Sequence, residues 1–188
     1  MGILAGDALL NYAFETACRA FDQAPEQSAR IGRALKILAG KAGIYGMIGG
    51  QVVDVKESGH KVAGEVLDFI YRLKTSALIE SSVMIGAVLA GADEEKITCM
   101  EQVGRKVGLA FQIQDDILDV TGTAETLGKP IHSDEKNEKM TYVVWKGLEE
   151  SRKAVKSMTE EALEELEKIQ AEDDFLAQLL RSLVYREK

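Results

Sequence analysis

Residues 108–120 read Gly-Leu-Ala-Phe-Gln-Ile-Gln-Asp-Asp-Ile-Leu-Asp-Val, which combines the apolar period of a helix with three aspartates near its end. The apolar side chains would bury one side of this helix, and the aspartates do not belong to that side. Asp115 and Asp119 are four residues apart, so their carboxylates would lie one above the other, with Gln112 one turn earlier. We therefore expect a long helix that packs on one side and carries acids elsewhere.

The three acids Asp115, Asp116 and Asp119 would repel one another, because no basic residue lies between Lys106 and Lys129. A hard divalent cation would relieve this repulsion. Magnesium takes oxygen ligands, keeps several waters and usually shares one or two carboxylates with a substrate phosphate. The alternative is a solvated acidic helix end, which the spacing alone does not exclude. The flanking apolar residues favour the metal site, since acids on a buried helix need a reason to be there.

Composition predicts one all-α domain that spans residues 1–188. The chain is 46% hydrophobic, which is enough for a substantial core, and it contains only two prolines, Pro25 and Pro130. The net charge of -8 and the lack of a basic cluster argue against nucleic acid as a partner.

The cysteines and the apolar stretches predict a cytoplasmic protein without a membrane span. Cys18 and Cys99 stand singly, without metal-ligand spacing, and we expect both to be small buried side chains in a reducing compartment. The longest uncharged apolar stretch, residues 81–92, is too short to cross a bilayer.

Apolar periodicity predicts helices along most of the chain, with a polar loop over residues 121–138 that is long for a compact helical domain. Lys74 would open an apolar helix, where it either extends along the surface to solvent or holds an anion at the helix N-terminus. Gln51 and Asp54 would form a polar helix edge. The predicted helices cover residues 3–21, 28–39, 42–56, 63–73, 74–91, 93–120 and 140–157, with two more from Thr159 and from about Glu172.

Six groups of residues occur in an order that resembles the trans-type polyprenyl synthetases, the farnesyl and geranylgeranyl diphosphate synthase family. Together they extend from the first residues to nearly the last, which makes them far more specific than any one group. They are Gly6-Asp7-Ala8-Leu9-Leu10, Gly49-Gly50-Gln51-x-x-Asp54, Lys74-Thr75-x-Ala77-Leu78, the 108–119 segment through Asp115-Asp116-x-x-Asp119, Leu127-Gly128-Lys129, and Lys139-x-Thr141-Tyr142.

The resemblance implies an all-helical isoprenoid-synthase bundle around a deep cavity. It also implies a short-chain prenyl diphosphate synthase that joins an allylic diphosphate to isopentenyl diphosphate with Mg²⁺. By motif position, Asp115 would bind Mg²⁺, with Asp116 and Asp119 acting directly or through water. Lys74, Lys129 and Lys139 would bind diphosphate, Thr75 and Gln112 would face the developing cation, and Gln51 and Asp54 would support the metal site.

The resemblance also implies that part of the family pattern is absent. The family places a first aspartate-rich motif and the residues that bind isopentenyl diphosphate before the Gly6–Leu10 segment, whereas Met1-Gly2 leads directly into it here. We therefore expect the C-terminal portion of the family fold, inactive alone and prone to self-association, as a homodimer or larger, through bare apolar faces.

Two alternatives remain, a non-catalytic partner subunit of a heteromeric prenyl synthase and a terpene cyclase on the same fold. Retention of Lys74, Gln112, Asp115, Asp116 and Lys129 speaks against a purely structural subunit. The Lys-Thr and Leu-Gly-Lys groups suit chain elongation better than cyclisation.

Overall fold

The computed structural model describes residues 1–122, 140–169 and 174–186. These residues form helices and include no strand, which confirms the predicted all-α class. A 3-10 helix (Pro25–Gln27) and a π-helical segment (Arg72–Ser76) join the α-helices. The α-helices are α1 (Gly2–Cys18), α2 (Ala20–Gln23), α3 (Ser28–Ala42), α4 (Met47–Glu57), α5 (Gly64–Tyr71), α6 (Ala77–Ala90), α7 (Glu94–Thr121), α8 (Tyr142–Lys146), α9 (Leu148–Glu167) and α10 (Phe175–Val184).

Helix α7 is the centre of the bundle and packs against both α6 and α9. Its most enclosed side chains, Val103, Val107 and Ala110, recur at helical spacing and are fully buried. The Asp93 carboxylate accepts the backbone N–H of Lys96 at 2.9 Å and caps the start of the helix. The predicted helix over residues 93–120 is thus confirmed.

Two glycines let the backbone of α7 come into direct contact with the backbone of the helical run that contains Ser76 and Glu80. A Cβ added to Gly104 would lie 2.6 Å from Glu80 Cα, and one added to Gly108 would lie 2.5 Å from Ser76 Cα. Ser76 is fully buried in this contact. Because the neighbouring atoms belong to the backbone, they cannot move aside as a flexible side chain would.

Three predicted helix boundaries in the second and last parts of the chain are wrong. The helix expected over residues 42–56 begins only at Met47, because the chain turns at Gly46. This turn brings Gly46 so close to the Lys41 carbonyl that a Cβ on this residue would collide with it. The helix expected over residues 140–157 is interrupted at Gly147, whose φ of 83° suits glycine. Helix α9 then continues through Thr159, where a new helix was expected.

The predicted break between residues 73 and 74 is also wrong. Residues Gly64–Ala90 form one continuous helical run, so Lys74 does not lie at a helix N-terminus. By length and composition alone this run would suffice to cross a membrane, a test that core helices of globular proteins also pass. It contains Lys74 and Glu80, which pair with Asp54 and Lys41 of neighbouring helices, as expected for a helix packed within a protein.

The two cysteines are more exposed than predicted. Cys18 is exposed, which corrects its predicted burial, and Cys99 is half-buried with its thiol 3.1 Å from the Glu165 carbonyl. Burial raises the pKa of the Cys99 thiol.

Helix α1 buries none of its residues, and Leu9 is 71% exposed. Its bare apolar side chains are in line with the predicted self-association, which stays a prediction.

A cluster of charges joins α3, α6 and α7. Lys41 Nζ contacts Glu80 Oε2 and lies 2.6 Å from Glu101 Oε1, and Arg105 Nε lies 3.5 Å from Glu80 Oε1. Glu80 itself is buried. Burial lowers the pKa of Lys41, but the hydrogen bonds to Glu101 and Glu80 outweigh it, so this pKa lies above its usual value. Lys41 therefore stays positive and neutralises a carboxylate inside the bundle.

Gly108→Ala is expected to lower the free energy of unfolding by about 1–3 kcal/mol, because the added methyl group meets the Ser76 backbone. Urea unfolding followed by circular dichroism measures this change. Gly86→Ala in α6 is the matched control, since nothing lies within 4 Å of its added Cβ. Equal stability of the two variants would contradict the close contact.

Lys41→Met is expected to cost about 2–3 kcal/mol of unfolding free energy, because it leaves the buried Glu80 carboxylate with only the looser Arg105 pair. The same unfolding experiment tests it. Lys36→Met, at an exposed position of α3, makes the same chemical change without a buried partner. A loss no larger than that of the Lys36 variant would show that the cluster contributes little.

Candidate functional site

The predicted site residues come from three elements that meet beside a cleft. The π-helical segment supplies Lys74 and Thr75, and α7 supplies Gln112 and the three aspartates. Helix α4 supplies Asp54. The cleft is lined by residues of all three, among them Asp54, Lys74, Gln112 and Asp116, with Tyr71 and Thr141 beside them.

The π-helical segment places Lys74 and Thr75 against α4 and α7. A Cβ at Gly50 of α4 would lie 2.8 Å from the carbonyl carbon of Leu73, so only a glycine allows this approach. Single π-helical turns within α-helices are frequent at functional sites. Here the wider turn carries both residues that resemble the Lys-Thr motif.

Lys74 and Thr75 each have a polar partner, the first on α4 and the second on α7. Lys74 Nζ donates to Asp54 Oδ2 at 2.6 Å. Thr75 Oγ1 donates to Gln112 Oε1 at 2.7 Å, across 37 residues of sequence. The sequence prediction that Asp54, Lys74, Thr75 and Gln112 share one site is consistent with these contacts.

The three aspartates of α7 have very different surroundings. Asp116 is 3% exposed and Asp119 is 4% exposed, whereas the side chain of Asp115 is 35% exposed. The expectation that all three acids lie away from the buried side is therefore wrong for Asp116 and Asp119. The reason is that polar partners at the helix end allow burial of a carboxylate that would otherwise be costly.

Asp116 accepts hydrogen bonds from two parts of the chain. Tyr71 Oη donates to its Oδ2 at 2.5 Å, and the backbone N–H of Tyr142 donates to the same oxygen at 2.8 Å. Gln112 Nε2 lies 3.5 Å from Oδ1. Tyr71 was not predicted from the sequence. Its place one helical turn before Lys74 is the signal that would have found it.

Asp115 contacts a cation from the end of the described chain. Arg186 Nη2 lies 3.2 Å from Asp115 Oδ1, and the guanidinium carbon lies 3.7 Å from the centre of the Phe111 ring. The Gln114 amide also reaches the Arg186 carbonyl at 3.4 Å. A basic residue of the C-terminal segment thus sits over the most exposed of the three acids.

One described residue, Gln51, is not brought into this arrangement, and two other predicted residues cannot be placed in it. Gln51 is exposed on α4, where it lines an apolar groove with Met47, Val52 and Val55 rather than the cleft. Lys129 and Lys139 lie outside the described residues.

The donor set suits a magnesium ion that arrives with a phosphate group better than a bare ion. Among residues 1–122, 140–169 and 174–186, no three His, Cys, Asp or Glu side chains are grouped to hold a metal. Magnesium, however, usually takes only one or two protein carboxylates and completes its shell with water and substrate phosphates. Asp115 is an accessible oxygen donor of this kind, with Asp119 one turn further along α7.

The site therefore combines an ammonium group, neutral oxygens and an accessible carboxylate. Such groups can bind an anion at Lys74 and stabilise positive charge that develops beside Thr75 and Gln112.

Comparison with known proteins agrees with this chemistry. The sequence model of the family described as Polyprenyl synthetase matches residues 1–180. The chain is 42% identical over 142 residues to a farnesyl diphosphate synthase of Geobacillus stearothermophilus, covering 76% of this chain and 48% of that protein. It is 39% identical over 169 residues to the large subunit 1 of a heterodimeric chloroplastic geranylgeranyl pyrophosphate synthase of Arabidopsis thaliana, covering 88% of this chain and 46% of that protein.

The fold agrees as well. A Helicobacter pylori geranyltransferase, solved with magnesium and isoprenyl diphosphate, superposes with a TM-score of 0.82 at 35% identity. The match covers 97% of this chain and 58% of that one. The chain spans about half the length of the curated relatives it matches. These findings confirm both the predicted fold and the resemblance seen in the sequence, and the chain belongs to the polyprenyl synthetase family.

Proposed function

We propose that this chain forms the side of a short-chain prenyl diphosphate synthase that binds Mg²⁺ and the allylic diphosphate. The complete enzyme joins that diphosphate to isopentenyl diphosphate. The observation that carries the proposal is the meeting of Lys74 and Thr75 with Gln112 and the acidic end of α7. Residues far apart in sequence are brought together there in the combination that this chemistry needs.

Lys74 binds the diphosphate in this proposal. Its ammonium group compensates the charge that grows on the leaving diphosphate as the allylic C–O bond breaks. Asp54, 2.6 Å away, keeps the side chain of Lys74 oriented toward the cleft before substrate arrives. Lys129 and Lys139 are proposed as further diphosphate contacts from outside the described residues.

Thr75 and Gln112 stabilise the allylic cation. The Thr75 hydroxyl donates its hydrogen bond to the Gln112 amide oxygen, so the lone pairs of Thr75 Oγ1 can face positive charge. The apolar core around α7 excludes water that would capture the cation.

Asp115 is the proposed magnesium ligand, with Asp119 as a second carboxylate acting directly or through water. When bound, the ion neutralises part of the diphosphate charge. Arg186 pairs with Asp115 at 3.2 Å, and this pair has to separate if the ion takes the same oxygen.

A role as one subunit of a heteromeric synthase is the second candidate. The Arabidopsis relative is named as the large subunit of a heterodimeric enzyme, which favours assembly with another chain. We also infer a homodimer or other self-associated form from the bare apolar residues of α1, and a cytoplasmic location from the sequence, although several relatives are named as chloroplastic proteins.

Binding of geranyl diphosphate to the 188-residue chain is expected to require Mg²⁺ and to weaken about tenfold or more in Asp115→Asn, because the neutral amide is a poor magnesium ligand. Isothermal titration with Mg²⁺ and with EDTA measures this. Glu149→Gln on α9 makes the same change of charge at an exposed acid and serves as the control. Binding that ignores both EDTA and Asp115→Asn would overturn the proposed site.

Addition of isopentenyl diphosphate to the same samples separates a complete synthase from a part of one. We expect Mg²⁺-dependent binding without product from this chain alone. Product that disappears in Asp115→Asn would show that the 188 residues suffice and that the expectation of inactivity is wrong. If the chain shows no binding and forms no product, the proposed function itself is contradicted.

A further inference from the structure

We propose that Tyr71 is a positioning residue, whose hydroxyl holds Asp116 against the backbone N–H of Tyr142 and thereby fixes the acidic end of α7. The inference rests on the proposed function only in that α7 carries Gln112 and Asp115. It assigns Asp116 to this contact and leaves the binding of magnesium to Asp115 and Asp119.

Three elements converge on one carboxylate oxygen. Asp116 Oδ2 accepts the Tyr71 hydroxyl at 2.5 Å and the Tyr142 N–H at 2.8 Å, and that N–H lies 3.2 Å from Tyr71 Oη. Tyr71 is the last residue of α5, Asp116 belongs to α7 and Tyr142 is the first residue of α8. The contact therefore ties together parts of the chain that are 45 and 26 residues apart.

Burial makes this contact strong. Asp116 is 3% exposed and Tyr71 is 7% exposed. A buried carboxylate is costly unless donors surround it, and hydrogen bonds to a charged acceptor are about twice as strong as neutral ones. An Asp116 that turned toward a metal would leave the Tyr71 hydroxyl and the Tyr142 N–H without this acceptor.

The neighbourhood of the contact is also closely packed. The Trp145 ring of α8 lies so near Gly64 of α5 that a Cβ on this glycine would collide with it. The side chain of Tyr142 meets the same ring edge-on, with centroids 5.5 Å apart. Helix α8 is thus seated on the start of α5, and the Tyr71 hydroxyl fixes the other end of α5 to α7.

The contact continues to the pair that faces the proposed cation. Gln112 Nε2 lies 3.5 Å from Asp116 Oδ1, and the Gln112 amide oxygen accepts the Thr75 hydroxyl. Thr75 lies in the π-helical segment that directly follows Tyr71. Loss of the Tyr71 hydroxyl would therefore disturb Gln112 from both sides, through Asp116 and through the turn that carries Thr75.

Tyr71→Phe tests this because it keeps the ring and removes only the hydroxyl. Hydrogen exchange of the Tyr142 amide, measured by NMR, is expected to accelerate about tenfold or more relative to the Val107 amide. Mg²⁺-dependent binding of geranyl diphosphate, measured well below the unfolding midpoint, is expected to weaken several-fold. Thr159→Val is the matched control, since it deletes another buried hydroxyl that bonds the Val155 carbonyl within α9.

Unchanged exchange at Tyr142 in Tyr71→Phe would overturn the inference. Faster exchange with unaltered binding would mean a purely structural contact, and the positioning role would be wrong. The same losses in Thr159→Val would trace both effects to general destabilisation and would also overturn it. If the unaltered chain binds no diphosphate, the proposed function fails separately, and exchange at Tyr142 still decides whether the Tyr71 hydroxyl holds the contact.

Discussion

The close approach of α7 to the Ser76 and Glu80 backbone is the constraint on which the rest of the structure depends. Gly104 and Gly108 remove the side chains that would hold the helices apart. The short distance brings Gln112, one turn beyond Gly108, within hydrogen-bond reach of Thr75. The hydrogen-bonded pair of Thr75 and Gln112 is therefore a consequence of packing, since a wider separation would leave each side chain without the other.

Two separate clusters of polar side chains lie inside this bundle. Lys41 and Glu80 neutralise each other between α3 and α6. The Tyr71 hydroxyl donates a hydrogen bond to the buried Asp116 carboxylate between α5 and α7, and both residues line the cleft. Because the buried Glu80 and Asp116 carboxylates have partners on other helices, these polar interactions fix the mutual positions of helices that apolar contacts alone would leave free to slide.

Much of the fold could be predicted from the sequence, because the apolar period of α7 and the order of six short motifs are local signals. The errors concern the positions at which helices are interrupted. The turn at Gly46 and the interruption at Gly147 depend on backbone contacts and a positive φ that periodicity does not carry. The continuity of α5 and α6 was missed because Lys74 looked like a helix start, whereas Asp54 pairs with it from another helix. Tyr71 was missed for a similar reason, since its partner lies 45 residues away.

The π-helical turn at Arg72–Ser76 accommodates one residue more than a regular α-helix would in this part of the chain. Such a turn holds one residue more than an α-helical turn but carries the helix through nearly the same rotation, so deleting one residue within it would restore the regular helix and leave α6 facing α7. The change would instead fall on the widened turn itself, which sets Lys74 and Thr75 beside Asp54 and Gln112. A one-residue deletion in this segment is thus expected to preserve the bundle and to disturb the cleft.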